Sequence, residues 1–329
     1  MKIEHLGKTI DSKHFDGNVD KELVNYIRDN YYTENKEKAL AQLKKVLLEH
    51  KSLNNDIYGY YFERVANDTV MGNDKYSINQ ALDSDEIIQL MHNRTFASEK
   101  IYKDTSKKEN IIPNFKTSIR LGGKGFFRKP TQFPIKVMRE LLEDYTEQGD
   151  LYYDPCCGWG MRMLVSAEKG LTYIGNDINH DLVVKLNELG QDIKTIKEFN
   201  FGIIEQGSEI FIPELENAVD FVFTSPPYFD LEIYNGSEGL KETSYQSWLN
   251  NFITPLLKNS QRYVKQGKYI AINIKNGQKN MLYDDTRDIG ESIGLELVDE
   301  RLLKQANRTH TTKKHGDSSE KIMVFKNNK

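Results

Sequence analysis

Cysteine is scarce in this chain, which has only two in 329 residues, adjacent at Cys156 and Cys157. Cysteines that are neighbours in sequence rarely join in a disulfide bond, and two thiolates are too few for a structural zinc site. The sequence therefore predicts neither disulfide bonds nor a metal centre. A reducing, cytoplasmic location is expected on the same ground.

Long apolar stretches are missing as well. No run approaches the roughly 18 apolar residues of a membrane-spanning helix, so no contact with a membrane is expected. Residues 1–5 carry no apolar signal core. Hydrophobic residues make up 38% of the chain and charged residues 29%, which is typical of a globular protein with a polar surface. A chain of this length can bury the core of one large domain and a smaller one.

A strong excess of charge of one sign is also absent, because the formal net charge is only −4. Global charge therefore does not indicate nucleic-acid binding. Two stretches, however, contain basic residues and no acid. Residues 114–139 contain Lys116, Arg120, Lys124, Arg128, Lys129, Lys136 and Arg139, and residues 304–315 contain Lys304, Arg308, Lys313, Lys314 and two histidines.

Each basic stretch alone is equally consistent with a solvated loop. Two such stretches on either side of the motifs described below favour contacts with phosphate groups. The residues that we expect to bind nucleic acid are Arg128, Lys129, Arg308, Lys313 and Lys314.

The first part of the chain, residues 1–112, is predicted to be mainly helical. Helices are expected over 20–31 and 35–50, the second with an apolar stripe at helical spacing. Ser84 is expected to cap a third helix that runs through Met91. This part contains no chemical motif, and we interpret its helices as packing and recognition structure.

From residue 133 onwards, short apolar runs alternate with amphipathic stretches of about ten to fifteen residues. This alternation predicts an α/β fold with a mostly parallel, doubly wound sheet. The last two strands, over 295–303 and 321–325, are expected to pair antiparallel at one edge. The other expected strands cover 151–153, 173–175, 192–196, 219–223 and 269–274, and the expected helices cover 135–145, 161–169, 180–189, 247–264 and 284–293. Residues 112–127 are predicted to be a Gly-rich connector.

The first chemical motif is the segment 154–160, Asp-Pro-Cys-Cys-Gly-Trp-Gly, which follows a predicted strand. Gly158 and Gly160 permit a tight turn and close approach of a ligand, and the helix that follows offers free N–H groups. Asp177 comes after the next strand, 23 residues beyond Asp154, where doubly wound folds place a ribose-binding carboxylate. A Gly turn alone is also typical of an ordinary helix cap, but this order of elements favours a nucleoside cofactor.

A dinucleotide fits the spacing less well, because the third expected glycine position is Met163. An adenosyl cofactor without a pyrophosphate is therefore favoured. Asp154 is expected either to hold an ammonium group or to accept hydrogen bonds from the loop. Asn200 or Phe201, after the third predicted strand, is expected to border the adenine.

The second chemical motif, residues 224–228, reads Thr-Ser-Pro-Pro-Tyr and follows the apolar run 219–223. The two prolines fix the backbone and remove two N–H donors, so the carbonyl groups of Ser225 and Pro226 are expected to face a cleft. Tyr228 adds a ring that can stack on a flat group. Acceptors beside an aromatic ring suit the exocyclic amino group of a heterocycle, although the same residues are also typical of a plain loop.

Together the two motifs resemble the amino-group DNA methyltransferases, the N4-cytosine and N6-adenine enzymes that use S-adenosyl-L-methionine. The segment 154–160 is similar to their Asp-Pro-x-x-Gly-x-Gly cofactor loop, and Ser225–Tyr228 is similar to their catalytic tetrapeptide. Phe133 and Pro134 resemble the extra cofactor motif just upstream. The resemblance covers roughly residues 133–325 and implies a Rossmann-like class I methyltransferase fold.

The resemblance implies a role for each matching residue. Ser225 and the Pro226 carbonyl would accept hydrogen bonds from the amino group of a flipped base, and Tyr228 would stack on that base. A serine at the first position resembles the N4-cytosine enzymes more than the N6-adenine enzymes. The implied catalytic residues are Ser225, Pro226, Pro227 and Tyr228, and the implied cofactor-binding residues are Phe133, Pro134, Asp154, Cys156, Gly158, Gly160, Asp177, Ile178 and Asn200.

The chain departs from the family because little sequence follows the last strand. We therefore expect a methyltransferase domain over 113–329 and target recognition by residues 1–112, by the insertion 229–246 or by the basic stretch 304–315. Asp230, Glu232 and Tyr234 in the insertion are either target-pocket residues or plain loop residues. Two alternatives remain open, an RNA or protein amide N-methyltransferase and a non-catalytic nucleic-acid-binding protein that kept the fold.

Overall fold

The computed structural model divides the chain into two compact units. The first unit comprises Met1–Ala39, Asn55–Thr131 and Asp230–Asn235, and the second comprises Leu40–Asn54, Gln132–Phe229 and Gly236–Lys329. The functional division expected at residue 112 stays a prediction. The residues that the structure describes are 2–32, 34–52, 55–71, 74–94, 103–104, 106–122, 127, 132–229, 232–233, 244–277, 280–303 and 320–329.

Short helices dominate residues 2–122. Asp20 caps α1 by accepting a hydrogen bond from the N–H of Leu23 (3.1 Å), and Ser84 caps α6 through the N–H of Ile87 (3.2 Å). The three helices expected here are confirmed. The elements are β1 (Lys2–His5), β2 (Lys8–Asp11), α1 (Lys21–Asn30), α2 (Lys36–Glu49), α3 (Asn55–Tyr61), α4 (Glu63–Ala66), β3 (Val70–Met71), α5 (Ile78–Leu82), α6 (Asp85–Asn93) and α7 (Ile111–Gly122).

The helix α7 corrects one prediction, because residues 112–127 were expected to be a Gly-rich connector. Pro113 lies in the first turn of α7, where its missing N–H removes no helical hydrogen bond. Phe115 and Ile119, four residues apart, are buried in the core of the first unit. Ser118 on the same helix donates to the carbonyl of Met91 at 2.6 Å, which ties α7 to α6.

Strands and helices alternate from residue 135 onwards. A π-helical turn at Leu249–Ile253 joins α11 to α12, so the helix expected over 247–264 is a single irregular helical segment. The elements are α8 (Ile135–Tyr145), β4 (Leu151–Asp154), α9 (Met161–Lys169), β5 (Thr172–Asp177), α10 (His180–Lys194), β6 (Phe201–Glu205), β7 (Val219–Thr224), β8 (Glu232–Ile233), α11 (Tyr245–Trp248), α12 (Thr254–Tyr263), β9 (Val264–Ile274), α13 (Leu282–Ser292), β10 (Leu295–Leu302) and β11 (Lys321–Asn327).

The second unit is built on a seven-stranded sheet with the order β10-β11-β9-β7-β4-β5-β6. The strands from β9 to β6 in this order are parallel to their neighbours, whereas β11 is antiparallel to both β9 and β10. The mostly parallel, doubly wound sheet is thus confirmed, and so is the antiparallel pairing of the last two strands. The chain leaves β4 towards β5 on one side and returns to β7 on the other. Ligands bind at such a switch point, beyond the carboxyl ends of the strands.

The third parallel strand lies later in the chain than expected. Residues 192–196 were expected to form it, but they belong to the end of α10 and the turn after it. Leu186, Leu189 and Ile193 are buried at helical spacing, so the helix continues to Lys194. The strand itself is β6, which pairs in parallel with β5.

Within the described residues, no helix combines the length and apolar character that crossing a bilayer requires.

Candidate functional site

The turn between β4 and α9 depends on two glycines with left-handed backbone. Gly158 has φ 52° and Gly160 has φ 69°, a region that other residues rarely adopt. A Cβ atom at Gly158 would meet nothing closer than 3.9 Å, so conformation rather than space selects glycine there. Gly160 caps α9 without a side-chain hydrogen bond, which leaves the N–H groups of the first turn to serve a ligand.

Asp154 lies at the end of β4 in a buried ion pair that the sequence analysis missed. Its carboxylate accepts hydrogen bonds from Nε of Arg162 (2.7 Å), from Nη2 of Arg162 (3.3 Å) and from the hydroxyl of Tyr173 (3.1 Å). Asp154 is fully buried and Arg162 nearly so. Arg162 also donates to the carbonyl of Cys156, and this bond fixes the backbone at the beginning of the turn. Asp154 therefore supports the loop through Arg162, rather than facing an ammonium group.

Aromatic rings enclose this ion pair. The guanidinium carbon of Arg162 lies 5.8 Å from the ring centroids of both Phe133 and Phe223. The two rings contact each other edge to face at 5.2 Å. Pro134 is the N-cap of α8 and fixes the chain as it leaves Phe133. The structure thus brings the Phe133-Pro134 pair beside the ends of β4 and β7.

Asp177, at the end of β5, contacts the glycine turn directly. Its carboxylate accepts from the N–H of Gly158 at 3.3 Å and from the N–H of Asn179 at 3.0 Å. Burial raises the pKa of Asp177 to about 6, although these two N–H groups favour the charged form. Ile178 is half-buried beside it, just before Asn179 caps α10. The Asp177 carboxylate is thus a titratable hydrogen-bond acceptor next to the glycine turn.

A hydrogen bond joins the two chemical motifs. The N–H of Cys156 donates to Oγ1 of Thr224 at 3.0 Å, across the neighbouring ends of β4 and β7. Sγ of Cys156 lies 3.4 Å from Oγ of Ser208, and burial raises the pKa of Cys156 to about 12. The Cys156 thiol is therefore neutral, and its assignment to cofactor binding stays a prediction; Ser208 in turn donates to the carbonyl of Pro155.

Residues on β9, just after β9 and just before β11 contact the tetrapeptide. Oγ of Ser225 accepts a hydrogen bond from Nδ2 of Asn273 on β9 at 3.2 Å. The hydroxyl of Tyr228 donates to Oε1 of Glu320 at 3.3 Å. Nζ of Lys275 lies 5.6 Å from the centroid of the Tyr228 ring. Pro226 is buried and Pro227 half-buried, so the two prolines hold this backbone against the core.

Asn200 corrects another prediction. It precedes β6, and its carbonyl accepts from the N–H of Tyr173 at the beginning of β5. This is the amino end of the parallel sheet, opposite to Asp154 and Asp177, so the assignment of Asn200 or Phe201 to the adenine is wrong. The error follows from the misplaced third strand.

Two polar side chains that the sequence analysis missed lie at the carboxyl end of the parallel strands, where Asp154 and Asp177 also lie. Oδ1 of Asn176 and Nε2 of Gln206 are buried and have no hydrogen-bond partner among the described residues. Nδ2 of Asn176 donates to the carbonyl of Gln206 at 2.8 Å, which joins the ends of β5 and β6. Both side chains thus lie at the same end of the sheet as Asp154 and Asp177. Correct placement of β6 would have indicated Gln206 as the residue at its carboxyl end.

All five residues that we expect to bind nucleic acid fall outside the part of the chain that the structure describes. Arg128, Lys129, Arg308, Lys313 and Lys314 lie outside the described residues, as do Asp230 and Tyr234. Two other residues of the stretch 114–139 are used within the protein. Lys116 pairs with Glu63 at 2.9 Å and Arg139 with Glu168 at 2.8 Å. These two cations serve structure rather than phosphate binding.

Comparison with known proteins gives a family match. A family model described as DNA methylase matches residues 11–188, more than half of the chain. The match includes residues before 133, where no chemical motif was found, and it ends before the tetrapeptide. The chain is also 35% identical over 89 residues to a probable tRNA (guanine(10)-N2)-dimethyltransferase of Methanothermococcus thermolithotrophicus. That alignment takes in 25% of this chain, and the chain spans about half, 52%, of that curated relative.

Solved structures of methyltransferases are also similar. One is a TehB-like SAM-dependent methyltransferase from Corynebacterium glutamicum, with 17% identity, a TM-score of 0.41 and coverage of 58% of this chain and 86% of that one. Another is a methyltransferase from Pyrococcus furiosus, with 14% identity, a TM-score of 0.41 and coverage of 59% and 83%.

Proposed function

Because the chain belongs to the DNA methylase family, we propose that it transfers a methyl group to the exocyclic amino group of a base flipped out of DNA. The cofactor is S-adenosyl-L-methionine, which supplies an electrophilic methyl group when bound. The observation that carries the proposal is the 3.0 Å hydrogen bond between Cys156 and Thr224. It joins a glycine turn suited to a nucleoside and a tetrapeptide suited to an aromatic amine.

The residues at the carboxyl ends of β4, β5 and β6 fit an adenosyl group. Gly158 and Gly160 let the backbone approach a ligand closely, and the first turn of α9 offers N–H groups. Asp177 supplies an acceptor for ribose hydroxyl groups. Asn176 and Gln206, at the ends of β5 and β6, would border the adenine.

The tetrapeptide would bind and orient the target amine. Oγ of Ser225 and the carbonyl of Pro226 would accept its two N–H groups, which directs the nitrogen lone pair towards the methyl donor. Tyr228 would stack on the base. These groups act by alignment and by fixed dipoles, so no metal or covalent intermediate is required. The serine at position 225 favours cytosine N4 over adenine N6 as the target.

Two measurements test the proposal. Calorimetry with S-adenosyl-L-methionine measures cofactor binding, and transfer of a labelled methyl group to DNA, RNA and protein identifies the substrate. The proposal predicts cofactor binding and labelling of DNA, with N4-methylcytosine after hydrolysis to nucleosides. Cofactor binding without labelling of DNA, RNA or protein would reject catalysis and favour the non-catalytic alternative.

One observation favours a second candidate, methylation of RNA. The curated relative with 35% identity is named for the N2 amino group of a tRNA guanine. An exocyclic amine on a planar base presents the same chemistry to the tetrapeptide, whether the base is in DNA or RNA. Labelling of transfer RNA but not of DNA in the same assay would support this candidate.

A further inference from the structure

The carboxylate of Glu320 links two residues of the tetrapeptide, Ser225 and Tyr228, through hydrogen bonds. Oε1 of Glu320, the residue before β11, accepts hydrogen bonds from Nδ2 of Asn273 at 2.7 Å and from the hydroxyl of Tyr228 at 3.3 Å. The same Nδ2 of Asn273 donates to Oγ of Ser225 at 3.2 Å. Neither Asn273 nor Glu320 belongs to either motif, yet together they contact the first and last residues of the tetrapeptide.

The orientation of the Asn273 amide is set by this carboxylate. A carboxylate oxygen can only accept a hydrogen bond, so the atom at 2.7 Å must be the nitrogen. Asn273 is 1% exposed, and its Oδ1 has no hydrogen-bond partner among the described residues. A buried carbonyl without a partner costs roughly 1–3 kcal/mol. The fold tolerates this cost and keeps both amide hydrogens on Ser225 and Glu320.

This arrangement controls the hydroxyl of Ser225. Since Asn273 donates to Oγ, the Ser225 hydroxyl proton cannot point at Nδ2, and one lone pair of Oγ stays available for a target N–H. The side-chain rotamer is fixed at the same time. Without Asn273 the hydroxyl could rotate among its staggered positions.

The position of the Tyr228 ring is controlled by the same carboxylate. Its hydroxyl is held by Glu320, while Nζ of Lys275 lies over the ring at 5.6 Å. A ring anchored at its hydroxyl cannot swing away from this position, so its stacking surface stays in one place. The Glu320 carboxylate therefore positions both the acceptor for the amine, Ser225, and the ring that would stack on the base, Tyr228.

We propose that Asn273 and Glu320 are positioning residues, which hold Ser225 and Tyr228 in the geometry that methyl transfer to an aromatic amine requires. The inference rests on the proposed function. Because a misplacement of about 1 Å can lower a rate by about a hundredfold, loss of either residue is expected to reduce kcat about tenfold or more. Cofactor affinity is expected to stay unchanged, since neither residue contacts the glycine turn.

The test compares Glu320→Ala, Glu320→Gln and Asn273→Ala with the full-length wild type. We expect Glu320→Ala to lower kcat, and Glu320→Gln to restore part of it because its amide oxygen still accepts from Asn273. In the Asn273→Ala background, Glu320→Ala is expected to cause a smaller further loss than it does alone. The matched control for Glu320→Gln is Glu214→Gln, which changes an exposed carboxylate in the 3-10 turn Pro213–Leu215.

The failure of this inference differs from failure of the proposed function. Inactive wild type that binds cofactor contradicts the function, whereas active wild type with equally active Glu320→Ala contradicts the positioning role. Fully additive losses in the double variant also contradict it. A crystal structure of Glu320→Ala decides the point without activity, because unchanged side-chain rotamers of Ser225 and Tyr228 would overturn the proposal.

Discussion

Arg162 illustrates, at the scale of single residues, how a buried charge supports the site. It lies on an otherwise apolar stretch of α9 and pairs with Asp154, while it also holds the carbonyl of Cys156. Burial lowers the pKa of Arg162, but the charge and hydrogen bonds of Asp154 and the nearby Tyr152 and Tyr173 together raise it by more, so the guanidinium stays charged at any ordinary pH. Arg162 therefore supports the glycine turn as a cation, through Asp154 and through the carbonyl of Cys156.

Arg162→Met is expected to lower the free energy of unfolding by about 3–5 kcal/mol, because it leaves the buried Asp154 carboxylate without its cation. Urea unfolding followed by circular dichroism measures the change. Asp154→Asn combined with Arg162→Met removes both charges and is expected to be less destabilised than Arg162→Met. A double variant at least as unstable as the single one would contradict this account of the ion pair.

Asp177 gives cofactor binding a pH dependence. If ribose hydroxyl groups donate to its carboxylate, affinity is full above the pKa of about 6 and falls as the pH drops through that value. Calorimetry between pH 5 and pH 8, the two ends being about one and two units from the pKa, measures this. Asp177→Asn is expected to bind about tenfold or more weakly, with no such pH dependence. Asp181→Asn, at an exposed residue of α10, is the control, and an unchanged pH profile in Asp177→Asn would reject the assignment.

Ser225→Ala and Tyr228→Ala are expected to lose methyl transfer and to keep cofactor binding. Removing one acceptor for the target amine is expected to lower kcat by about 10²–10³-fold, by analogy with other polar groups that stabilise transition states. Removing the Tyr228 ring is expected to weaken base binding by about 1–3 kcal/mol. Single-turnover methylation and calorimetry separate the two effects. Wild-type activity in Ser225→Ala would remove Ser225 from the target pocket.

At the scale of elements, the β4–α9 turn is the one with the strictest sequence requirement. Gly158→Ala is expected to lower the free energy of unfolding by about 1–2 kcal/mol, because φ 52° is unfavourable for alanine. Gly202→Ala is the matched control, since a Cβ at that edge-strand position meets nothing within 4 Å. Chemical denaturation of both variants tests the difference. Equal stability would show that the turn relaxes without cost.

The elements also show what the sequence could reveal about the fold. Motifs beside strong apolar runs, such as 154–160 after β4, fall where expected, because a buried central strand and its turn have a clear pattern. The strand β6 was misplaced because Ile193 continues the apolar face of α10, and this misplacement led to Asn200 instead of Gln206. The helix α7 was missed because Pro113 and the glycines that begin at Gly122 are typical of a connector. Arg162, Asn273 and Glu320 gave no local signal, because their partners lie far away in the sequence.

At the scale of the whole molecule, the proposed DNA binding is expected to depend on basic residues such as Lys313 and Lys314, which lie outside the described residues. We expect DNA affinity to fall steeply with salt, by a logarithmic slope of about 0.9 for each phosphate contacted. Lys313→Gln together with Lys314→Gln is expected to weaken binding and reduce that slope. Lys44→Gln with Lys45→Gln, an exposed lysine pair on α2, is the control. Fluorescence anisotropy at several salt concentrations measures both, and an unchanged slope in the first variant would place the phosphate contacts elsewhere.

The pairing of β10 with β11 has one more consequence. The N–H of Leu303 donates to the carbonyl of Glu320 at 2.8 Å, so the sheet holds the two residues that flank the 16-residue segment 304–319 next to each other. The entropy of closing such a segment grows only slowly with its length. A segment of different length and sequence could therefore replace residues 304–319 while β10 and β11 keep their pairing.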